Sequence, residues 1–199
     1  MSATLLLLAG GQGRRMGRPK ETLSWRGSTL IERKVSDLAP GFDEVLIATS
    51  APERLPEALR SYAVPDRRHD AGPLAGLEAG LEAARNEVVV AVACDMPNVD
   101  LHLTGVLIDR LGRYDAVVPY LGSRPDPLCA AYMRRALGAV RDTLDAASAA
   151  GHGARAAAVL DLLKVRYVGA LEFRLYGLDE RLLWNLNTPQ DYQVLITDA

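Results

Sequence analysis

The sequence predicts a three-layer α/β fold, in which helices cover both faces of a mainly parallel central sheet. Short apolar runs rich in Val, Leu and Ile alternate along the 199-residue chain with amphipathic segments of helical period. This strand–helix–strand order is typical of parallel sheets, because parallel neighbours are joined by crossover helices. The length fits one domain that can bury a sizeable core. The predicted architecture is therefore a single Rossmann-like domain over residues 1–199.

Each element is predicted from its own stretch of sequence. Apolar runs predict buried strands at residues 4–9, 44–49, 88–94, 116–119 and 128–133. Amphipathic segments predict helices at residues 29–38, 53–61, 74–84, 101–111 and 134–147. An alanine bias at residues 146–158 favours helix, with a break near the glycines at 151 and 153. A last helix is predicted after Thr188, which can cap it, with Pro189 in its first turn and Asp191 completing a capping box.

The overall composition indicates no charged macromolecular partner. The formal net charge is −2, so we expect neither nucleic acid nor a membrane surface as a partner, and any phosphate recognition must be local. The apolar run at residues 3–9 is too short to span a bilayer and ends in Gly-Gly, without a cleavage-like site. Cys94 and Cys129 lie in apolar runs, as expected of buried small hydrophobic residues. The expected location is the cytoplasm.

The segment after the first strand, at residues 8–20, combines glycines with a cluster of cations. Glycines directly after a strand let the backbone approach a ligand and direct its N–H groups at an anion. Four cations lie within seven residues, and the first acid after them is Glu21; the cations are Arg14, Arg15, Arg18 and Lys20. A bound polyphosphate would relieve their mutual repulsion. The alternative is a surface loop with solvated arginines.

Two familiar phosphate motifs do not match this segment. A Walker A loop needs Gly-Lys-Ser/Thr at its end, but Gly17 is followed by Arg18. A dinucleotide fingerprint needs a third glycine where Met16 stands, and an acid after the second strand, which ends Ala-Thr-Ser. The segment therefore predicts triphosphate binding of another kind.

Ligands of such sheets bind beyond the carboxyl ends of the strands. That rule directs attention to residues 10–20, Ser50, residues 95–97 and residues 123–127. Asp95 directly follows the apolar run at 88–94, and we expect it to face the basic segment. Because Mg²⁺ takes one or two carboxylates plus phosphate oxygens, Asp95 is a candidate Mg²⁺ ligand. The alternative is a turn-forming aspartate before a proline.

Three further polar residues allow two interpretations. Asp66 is either a loop acid or an acceptor for the N–H groups of a base. Asn185 and Asn187 precede the last helix and either cap turns or bind a second substrate. The histidines are scattered, which gives no metal triad: His69, His102 and His152.

Five blocks, in order along the chain, resemble the MobA-type molybdenum cofactor guanylyltransferases of the wider nucleotidyltransferase superfamily. They are Leu-Ala-Gly-Gly-x-x-x-Arg-Met-Gly-x-x-Lys at 8–20, Gly-Pro-Leu-Ala-Gly at 72–76, Cys-Asp-Met-Pro at 94–97, Pro-Leu-x-x-x-Tyr at 127–132 and Asn-x-Asn-Thr-Pro at 185–189. The first block alone marks the superfamily, and the ordered set is more specific. The resemblance implies the three-layer nucleotidyltransferase fold.

The resemblance also implies an activity and a set of site residues. The activity is transfer of GMP from GTP to the phosphate of molybdopterin, which releases pyrophosphate and forms a guanine dinucleotide cofactor. The implied contacts are the backbone of Leu8, Ala9 and Gly10 with the nucleotide, Lys20 with its phosphates, Asp66 with guanine, Asp95 with Mg²⁺, and Asn185 and Asn187 with molybdopterin. The N-terminal part would thus bind nucleotide and the C-terminal part molybdopterin. We expect catalysis by positioning and charge neutralisation at the α-phosphate, from Mg²⁺, Lys20 and arginines that include Arg15.

Two other functions are compatible with these residues. A proline before the lysine, as at Pro19, resembles the sequence of cytidylyltransferases of the same fold. Those enzymes act on molybdopterin or another phosphate acceptor. A non-catalytic nucleotide-sensing or cofactor-chaperoning module would bind GTP without releasing pyrophosphate. The expected protein partners are transient ones, which deliver the cofactor or mature molybdoenzymes.

Overall fold

The computed structural model describes residues 2–9, 22–66, 68, 71–122 and 124–197. Its strands are β1 (Ala3–Leu8), β2 (Ser24–Trp25), β3 (Ser28–Thr29), β4 (Glu44–Thr49), β5 (Ala63–Pro65), β6 (Val88–Ala93), β7 (Ala116–Leu121), β8 (Arg124–Pro125), β9 (Cys129–Met133) and β10 (Val165–Gly169). Its α-helices are α1 (Leu30–Leu38), α2 (Pro73–Ala83), α3 (Leu101–Asp109), α4 (Leu137–Ala149), α5 (Ala170–Leu175) and α6 (Pro189–Thr197).

Within the described part, eight strands form one sheet in the order β10-β7-β9-β6-β1-β4-β5, with β8 paired to β7. Strands β5, β4, β1 and β6 run parallel, and β10 runs parallel to β7. In this sheet β8 and β9 run antiparallel to their neighbours, and β2 and β3 form a separate antiparallel pair. The carboxyl ends of the parallel strands therefore meet at one edge, which we call the carboxyl edge, and β9 begins there.

Alternating side chains of the central strands enter two hydrophobic layers. Leu5 and Leu7 of β1 pack in one layer with residues of α1, α3 and α5. Leu6 and Leu8 pack in the other with residues of α2 and α4. All six side chains of β1 are buried, as required of a strand covered on both faces. The predicted three-layer α/β class is confirmed.

The helix starts follow from their local chemistry. The Thr29 side chain caps α1 and exchanges hydrogen bonds with Glu32 in a capping box. The predicted box before α6 is confirmed: the Asp191 N–H donates to the Thr188 hydroxyl at 3.1 Å, and the Thr188 N–H donates to the Asp191 carboxylate at 2.7 Å. Each box satisfies backbone donors that the first helical turn leaves unpaired.

Some predicted elements differ from the structure. The predicted helix at residues 53–61 is wrong: Pro52–Arg54 and Glu57–Tyr62 are separate 3-10 turns, because Pro56 between them has no N–H for a helical hydrogen bond. The predicted helix at 134–147 begins as a 3-10 turn, Arg134–Ala136, and continues as α4 to Ala149. The predicted break near residue 151 is confirmed, with Gly151 at a φ of 72°. Strands β2, β3, β5, β8 and β10 were not predicted.

A small hydrophobic cluster joins the C-terminal segment to the chain that follows the basic segment. Leu23, Trp25 and Leu30 pack in it with Leu186 and Leu195. The Tyr192 hydroxyl of α6 donates to the Ser24 carbonyl at 2.6 Å. Across the described residues, no helix combines the length and apolar character needed to cross a bilayer.

The contact between α2 and β1 depends on Gly80. A methyl group added at this residue would overlap the isobutyl group of Leu6, which is fully buried. We expect Gly80→Ala to lower the free energy of unfolding by roughly 1–2 kcal/mol, since overpacking costs about 1–3 kcal/mol and helix propensity returns up to about 1 kcal/mol. Urea denaturation measures this.

The matched control is Gly105→Ala in α3, where an added methyl group meets no atom within 4 Å. This variant should be as stable as the unaltered protein, or more stable, because alanine favours helix. A loss of stability of equal size in both variants would contradict the assignment.

Candidate active site

The ends of three parallel strands are joined at the carboxyl edge by backbone hydrogen bonds. The Ala9 N–H donates to the Ala48 carbonyl at 2.9 Å, and the Cys94 N–H donates to the Leu8 carbonyl at 3.2 Å. Leu8 and Ala9 are buried. The backbone at Leu8 and Ala9 therefore lies between the ends of β4 and β6, where the sequence predicted a nucleotide.

The basic segment is attached to this point. Gly10, Arg15 and Lys20 lie outside the described residues, so their predicted contacts with the nucleotide stay predictions. The described chain stops at Ala9 on the carboxyl edge and resumes at Thr22.

Asp95 lies in a turn directly beyond β6. The Met96 N–H closes this turn on the Ala93 carbonyl at 3.1 Å. The Leu186 N–H donates to the Asp95 carbonyl at 2.7 Å, which brings the chain at 185–187 against the turn. Asp95 itself is half-buried.

The structure thus places both predicted molybdopterin contacts next to the Asp95 turn. The half-buried Asn185 donates its side-chain amide to the Leu183 carbonyl at 3.0 Å. Asn187 is exposed, and its backbone N–H donates to the Asp191 carboxylate at 2.8 Å. Both residues have structural hydrogen bonds, and both adjoin Leu186, which bonds to the Asp95 turn.

A buried lysine holds the loop that leads from the Asp95 turn to α3. Lys34 of α1 is 1 % exposed, and its Nζ donates to the Val99 carbonyl at 2.7 Å. Asp100, the next residue, caps α3 by accepting from the Leu103 N–H at 2.8 Å. Burial lowers the pKa of Lys34 to about 8, against a smaller opposing effect of nearby groups that include Asp37 and Asp100.

A second carboxyl group, Asp126, lies near Asp95. Burial, and then the charge of Asp95, raise the pKa of Asp126 to about 6. The Asp126 N–H donates to the Pro119 carbonyl at 2.9 Å, and its carbonyl accepts from the Cys129 N–H at 3.1 Å. The sequence analysis placed residues 123–127 at this edge but did not single out Asp126. Its position directly before the Pro-Leu-x-x-x-Tyr block is the signal that could have identified it.

The tyrosine of that block fixes the backbone beside Asp126. Tyr132 is fully buried, and its hydroxyl donates to the Pro127 carbonyl at 2.7 Å. Burial raises the pKa of Tyr132 far above its ordinary value, so the hydroxyl stays a donor. The proline and tyrosine of the block therefore form a structural pair.

Asp66 lies on the opposite side of Leu8 from Asp126. It follows the edge strand β5, and its N–H donates to the Thr49 carbonyl at 3.3 Å. Three strand spacings separate β5 from β6, which corresponds to about 14 Å. Asp66 and Asp95 are therefore far enough apart to contact opposite ends of one nucleotide.

The chain next to Asp66 is anchored by an ion-pair network. The Arg68 Nε lies 2.7 Å from a Glu78 carboxylate oxygen, and its Nη1 lies 2.6 Å from Asp145. Arg141 contacts the same Glu78 at 3.2 Å. These contacts attach the segment after β5 to α2 and α4.

A cavity of about 510 Å³ opens on the side of the Asp95 turn that faces away from Asp66. This volume is in the range of small-molecule sites. Its walls are β7, β8 and the turn before Asn185, through Leu121, Gly122, Arg124, Asp126, Glu180, Arg181, Leu183 and Trp184. The cavity therefore offers an aromatic ring, two cations and two acids beside Asn185.

The acids at the carboxyl edge suit a hard divalent cation bound together with phosphate. Among the described residues, no three His, Cys, Asp or Glu side chains are arranged to hold a metal by themselves. Mg²⁺ takes one or two carboxylates and completes its octahedron with phosphates and water. The donor set at Asp95 fits that mode of binding.

Comparisons with known proteins agree with this arrangement. A family model described as "MobA-like NTP transferase domain" matches residues 5–163. A probable molybdenum cofactor guanylyltransferase of Pelotomaculum thermopropionicum is 33% identical, covering 96% of this chain and 90% of that protein. A molybdenum cofactor guanylyltransferase of Syntrophotalea carbinolica is 32% identical, covering 94% of this chain and 88% of that protein.

Solved structures show the same fold. The molybdopterin-guanine dinucleotide biosynthesis protein A of Archaeoglobus fulgidus superposes with a TM-score of 0.80 at 26% identity, covering 98% of this chain and 97% of that one. The 2-C-methyl-D-erythritol 4-phosphate cytidylyltransferase of Thermus thermophilus superposes with a TM-score of 0.70 at 21% identity, covering 99% and 98%. The second likeness concerns the fold alone.

The lowered pKa of Lys34 predicts a pH-dependent stability. Between pH 8 and the ordinary lysine value of 10.5, the unfolded chain binds more protons at this residue than the folded protein does. The free energy of unfolding should therefore rise with pH across that window, by on the order of 3 kcal/mol. Below pH 8 this contribution is lost.

Denaturant unfolding at several pH values tests this in Lys34→Met, which cannot titrate and should lack the rise. Lys164→Met is the control, since Lys164 is exposed, and it should follow the unaltered protein. Parallel stability curves for the unaltered protein and Lys34→Met would refute the prediction.

Proposed function

The chain belongs to the MobA-like NTP transferase family, and from that membership we propose that it is a molybdenum cofactor guanylyltransferase. It transfers GMP from GTP to the phosphate of molybdopterin and releases pyrophosphate. The observation that carries the proposal is the meeting of Leu8, Asp95 and Leu186 at one edge of the sheet, where residues predicted to bind nucleotide and residues predicted to bind molybdopterin adjoin one turn.

The related proteins favour guanylyl over cytidylyl transfer. Relatives named guanylyltransferases match nearly the whole chain at 32–33% identity. The cytidylyltransferase of T. thermophilus has 21% identity. That likeness supports a common fold but is no argument for a common substrate.

The strand positions suggest the orientation of GTP. The base would lie toward Asp66, whose carboxylate can accept the two N–H groups of a guanine edge. The sugar would cross the ends of β1 and β4 at Leu8 and Ala9. The α-phosphate would then lie at Asp95, and the β- and γ-phosphates would turn away from the acceptor toward the basic segment. In this orientation Asp66 selects the base and Asp95 acts at the reacting end.

The acceptor would approach from the cavity on the far side of the turn. The ring of Trp184 suits a flat pterin, and Asn185 and Asn187 lie beside it in sequence. Arg124 is exposed, and no ion pair is found for it within the described ranges. A phosphate carried by the pterin would suit this cation.

The reaction needs no general base, because the attacking oxygen belongs to a phosphate that is already anionic. That oxygen forms a bond to the α-phosphorus of GTP. The bond from the α-phosphorus to the bridging oxygen breaks, and its electron pair leaves with pyrophosphate. Lys20 and Arg15 would neutralise charge that develops during this step, and the fixed cleft would align the two phosphates.

Mg²⁺ is the cofactor that we propose, with Asp95 as its protein ligand. Its contribution, when bound, is to neutralise negative charge on the triphosphate. Proteins that deliver the cofactor or mature molybdoenzymes are the transient partners that this activity requires.

The central test is pyrophosphate release with each of the four nucleoside triphosphates, with and without molybdopterin. We expect release that depends on both GTP and molybdopterin. Release that needs no molybdopterin, or that CTP supports better than GTP, would exclude the proposal.

Asp95→Ala and Lys20→Ala should each lower kcat by roughly a hundredfold or more, since each removes charge stabilisation at the reacting phosphate. Their circular dichroism spectra should be unchanged. Near-normal release by Asp95→Ala in Mg²⁺ would remove Asp95 from the mechanism.

Asp66→Ala tests the orientation of the nucleotide. We expect the ratio of kcat/KM for GTP to that for ATP to fall by roughly tenfold or more, because a base N–H loses its acceptor. The KM for molybdopterin should not change. An unaltered GTP/ATP ratio would count against the assignment of Asp66 to the base.

A further inference from the structure

We propose that Arg68 is a positioning residue that holds Asp66 where it selects guanine, through a two-point contact with Glu78 of α2. The inference rests on the proposed function, because it takes Asp66 as the acceptor for the base. Arg68 lies two residues beyond Asp66 along the chain, and its guanidinium contacts α2 and α4. Its action on the base is therefore indirect, through the position of Asp66.

The backbone pairing of Asp66 with the sheet is weak. Asp66 follows β5, which is the last strand of the sheet in the described part of the chain and pairs with β4. Its nitrogen lies 3.3 Å from the Thr49 carbonyl oxygen, beyond the usual amide range of about 2.7–3.2 Å. A cavity of about 440 Å³ opens between β5 and α2, and Val64, Arg68 and Glu78 are among its lining residues. The ion pair thus bridges these two elements where apolar packing between them is open.

The contact between Arg68 and Glu78 has the geometry of a strong ion pair. The Arg68 Nε donates to Glu78 Oε2 at 2.7 Å, and its Nη2 donates to Glu78 Oε1 at 3.0 Å. Two parallel N–H···O bonds fix the relative orientation of the two planar groups as well as their distance. The Arg68 side chain is 29 % exposed and that of Glu78 13 %, so water screens this pair less than a fully exposed one. The Arg68 Nη1 adds a bond to Asp145 of α4 at 2.6 Å.

The helix that carries Glu78 packs closely on the strand ends where the nucleotide would lie. A Cβ added at Gly76 would come within 3.3 Å of side-chain atoms of Leu8 and Ala48, so α2 closely approaches the ends of β1 and β4. Glu78 follows two residues later in the same helix, which fixes its place relative to Leu8. The pair with Arg68 therefore relates the position of the base acceptor to the path of the nucleotide across the sheet.

Selection between guanine and adenine is sensitive to this kind of positioning. A carboxylate can accept two neighbouring N–H groups from guanine, whereas adenine presents an acceptor nitrogen in place of one of them. Hydrogen bonds weaken steeply when their geometry is lost, so a displaced Asp66 would discriminate less between the two bases. Contacts with the sugar and the phosphates are the same for GTP and ATP. Loss of the Arg68 anchor should therefore change the preference between these nucleotides.

The experiment measures the dissociation constants of GTP and ATP by calorimetry, in Mg²⁺ and without molybdopterin, so that no transfer occurs. Arg68→Met removes the guanidinium and keeps an unbranched side chain, and Arg68→Lys keeps the charge without the two-point geometry. The matched control is Arg141→Met, since Arg141 donates to the same Glu78 at 3.2 Å but belongs to α4. Thermal unfolding establishes that each variant is folded.

A positioning role predicts a loss of preference that depends on Asp66. Arg68→Met should lower the preference for GTP over ATP by roughly threefold or more, and Arg68→Lys should lower it by a smaller factor. Adding Arg68→Met to Asp66→Ala should cause no further loss beyond that of Asp66→Ala, because the anchor then has no acceptor to position. Arg141→Met should keep the preference within about twofold of that of the unaltered protein.

Four results would overturn the proposal. They are an unchanged preference in Arg68→Met, an equal loss in Arg141→Met, a full further loss when Arg68→Met is added to Asp66→Ala, and an unchanged preference in Asp66→Ala. Failure of the proposed function is seen in a different measurement. In that case the variants change the preference for GTP as expected, but the unaltered protein shows no molybdopterin-dependent release of pyrophosphate.

Discussion

The candidate site depends on the backbone hydrogen bonds that surround the end of β6. The chain from Ala93 to Asp95 bonds to Leu8 on one side, to Leu128 on the other and to Leu186 above. These three partners come from the beginning, the middle and the end of the sequence. Backbone donors and acceptors at a buried strand end must be satisfied. The hydrogen bonds that satisfy them here also fix the position of Asp95. The side chains at this edge therefore extend from fixed backbone positions.

Two partly or fully buried charged groups lie near the Asp95 turn, and burial shifts their pKa values in opposite directions. Lys34 brings a cation near the turn, where burial lowers its pKa, and a backbone carbonyl is its hydrogen-bond partner. Asp126 brings an anion beside the turn, where burial raises its pKa. Both groups are costly for stability at neutral pH. Such costs are expected near a site that must hold charged ligands.

The sequence predicted the fold class and the buried strands well because a strand covered on both faces has a continuous apolar signature, as in β1 and β6. The edge strands were missed because β5 and β10 are largely half-buried and lack that signature. The edge rule located Asp95, since it follows a predicted strand at the carboxyl edge. Asp66 and the 185–187 segment were instead singled out by their polar side chains and by the family resemblance. The roles of these residues stay predictions.

The nearness of Asp126 to Asp95 could not be predicted in the same way. This relation arises from the pairing of β6 with β9, and one sequence does not reveal which residues of two strands face each other. The structural role of Tyr132 was also hidden, because its hydroxyl reaches a carbonyl five residues earlier, in the turn that precedes β9.

The contact between Leu186 and the Asp95 turn has a consequence for how the protein matures during translation. Asp95 is synthesised long before Leu186, and Tyr192 adds a second late bond, to Ser24. A nascent chain that has emerged only as far as α4 contains Asp95 but lacks the segment whose N–H bonds to the Asp95 carbonyl. The hydrogen bonds around the Asp95 turn are therefore complete only once Leu186 has been synthesised.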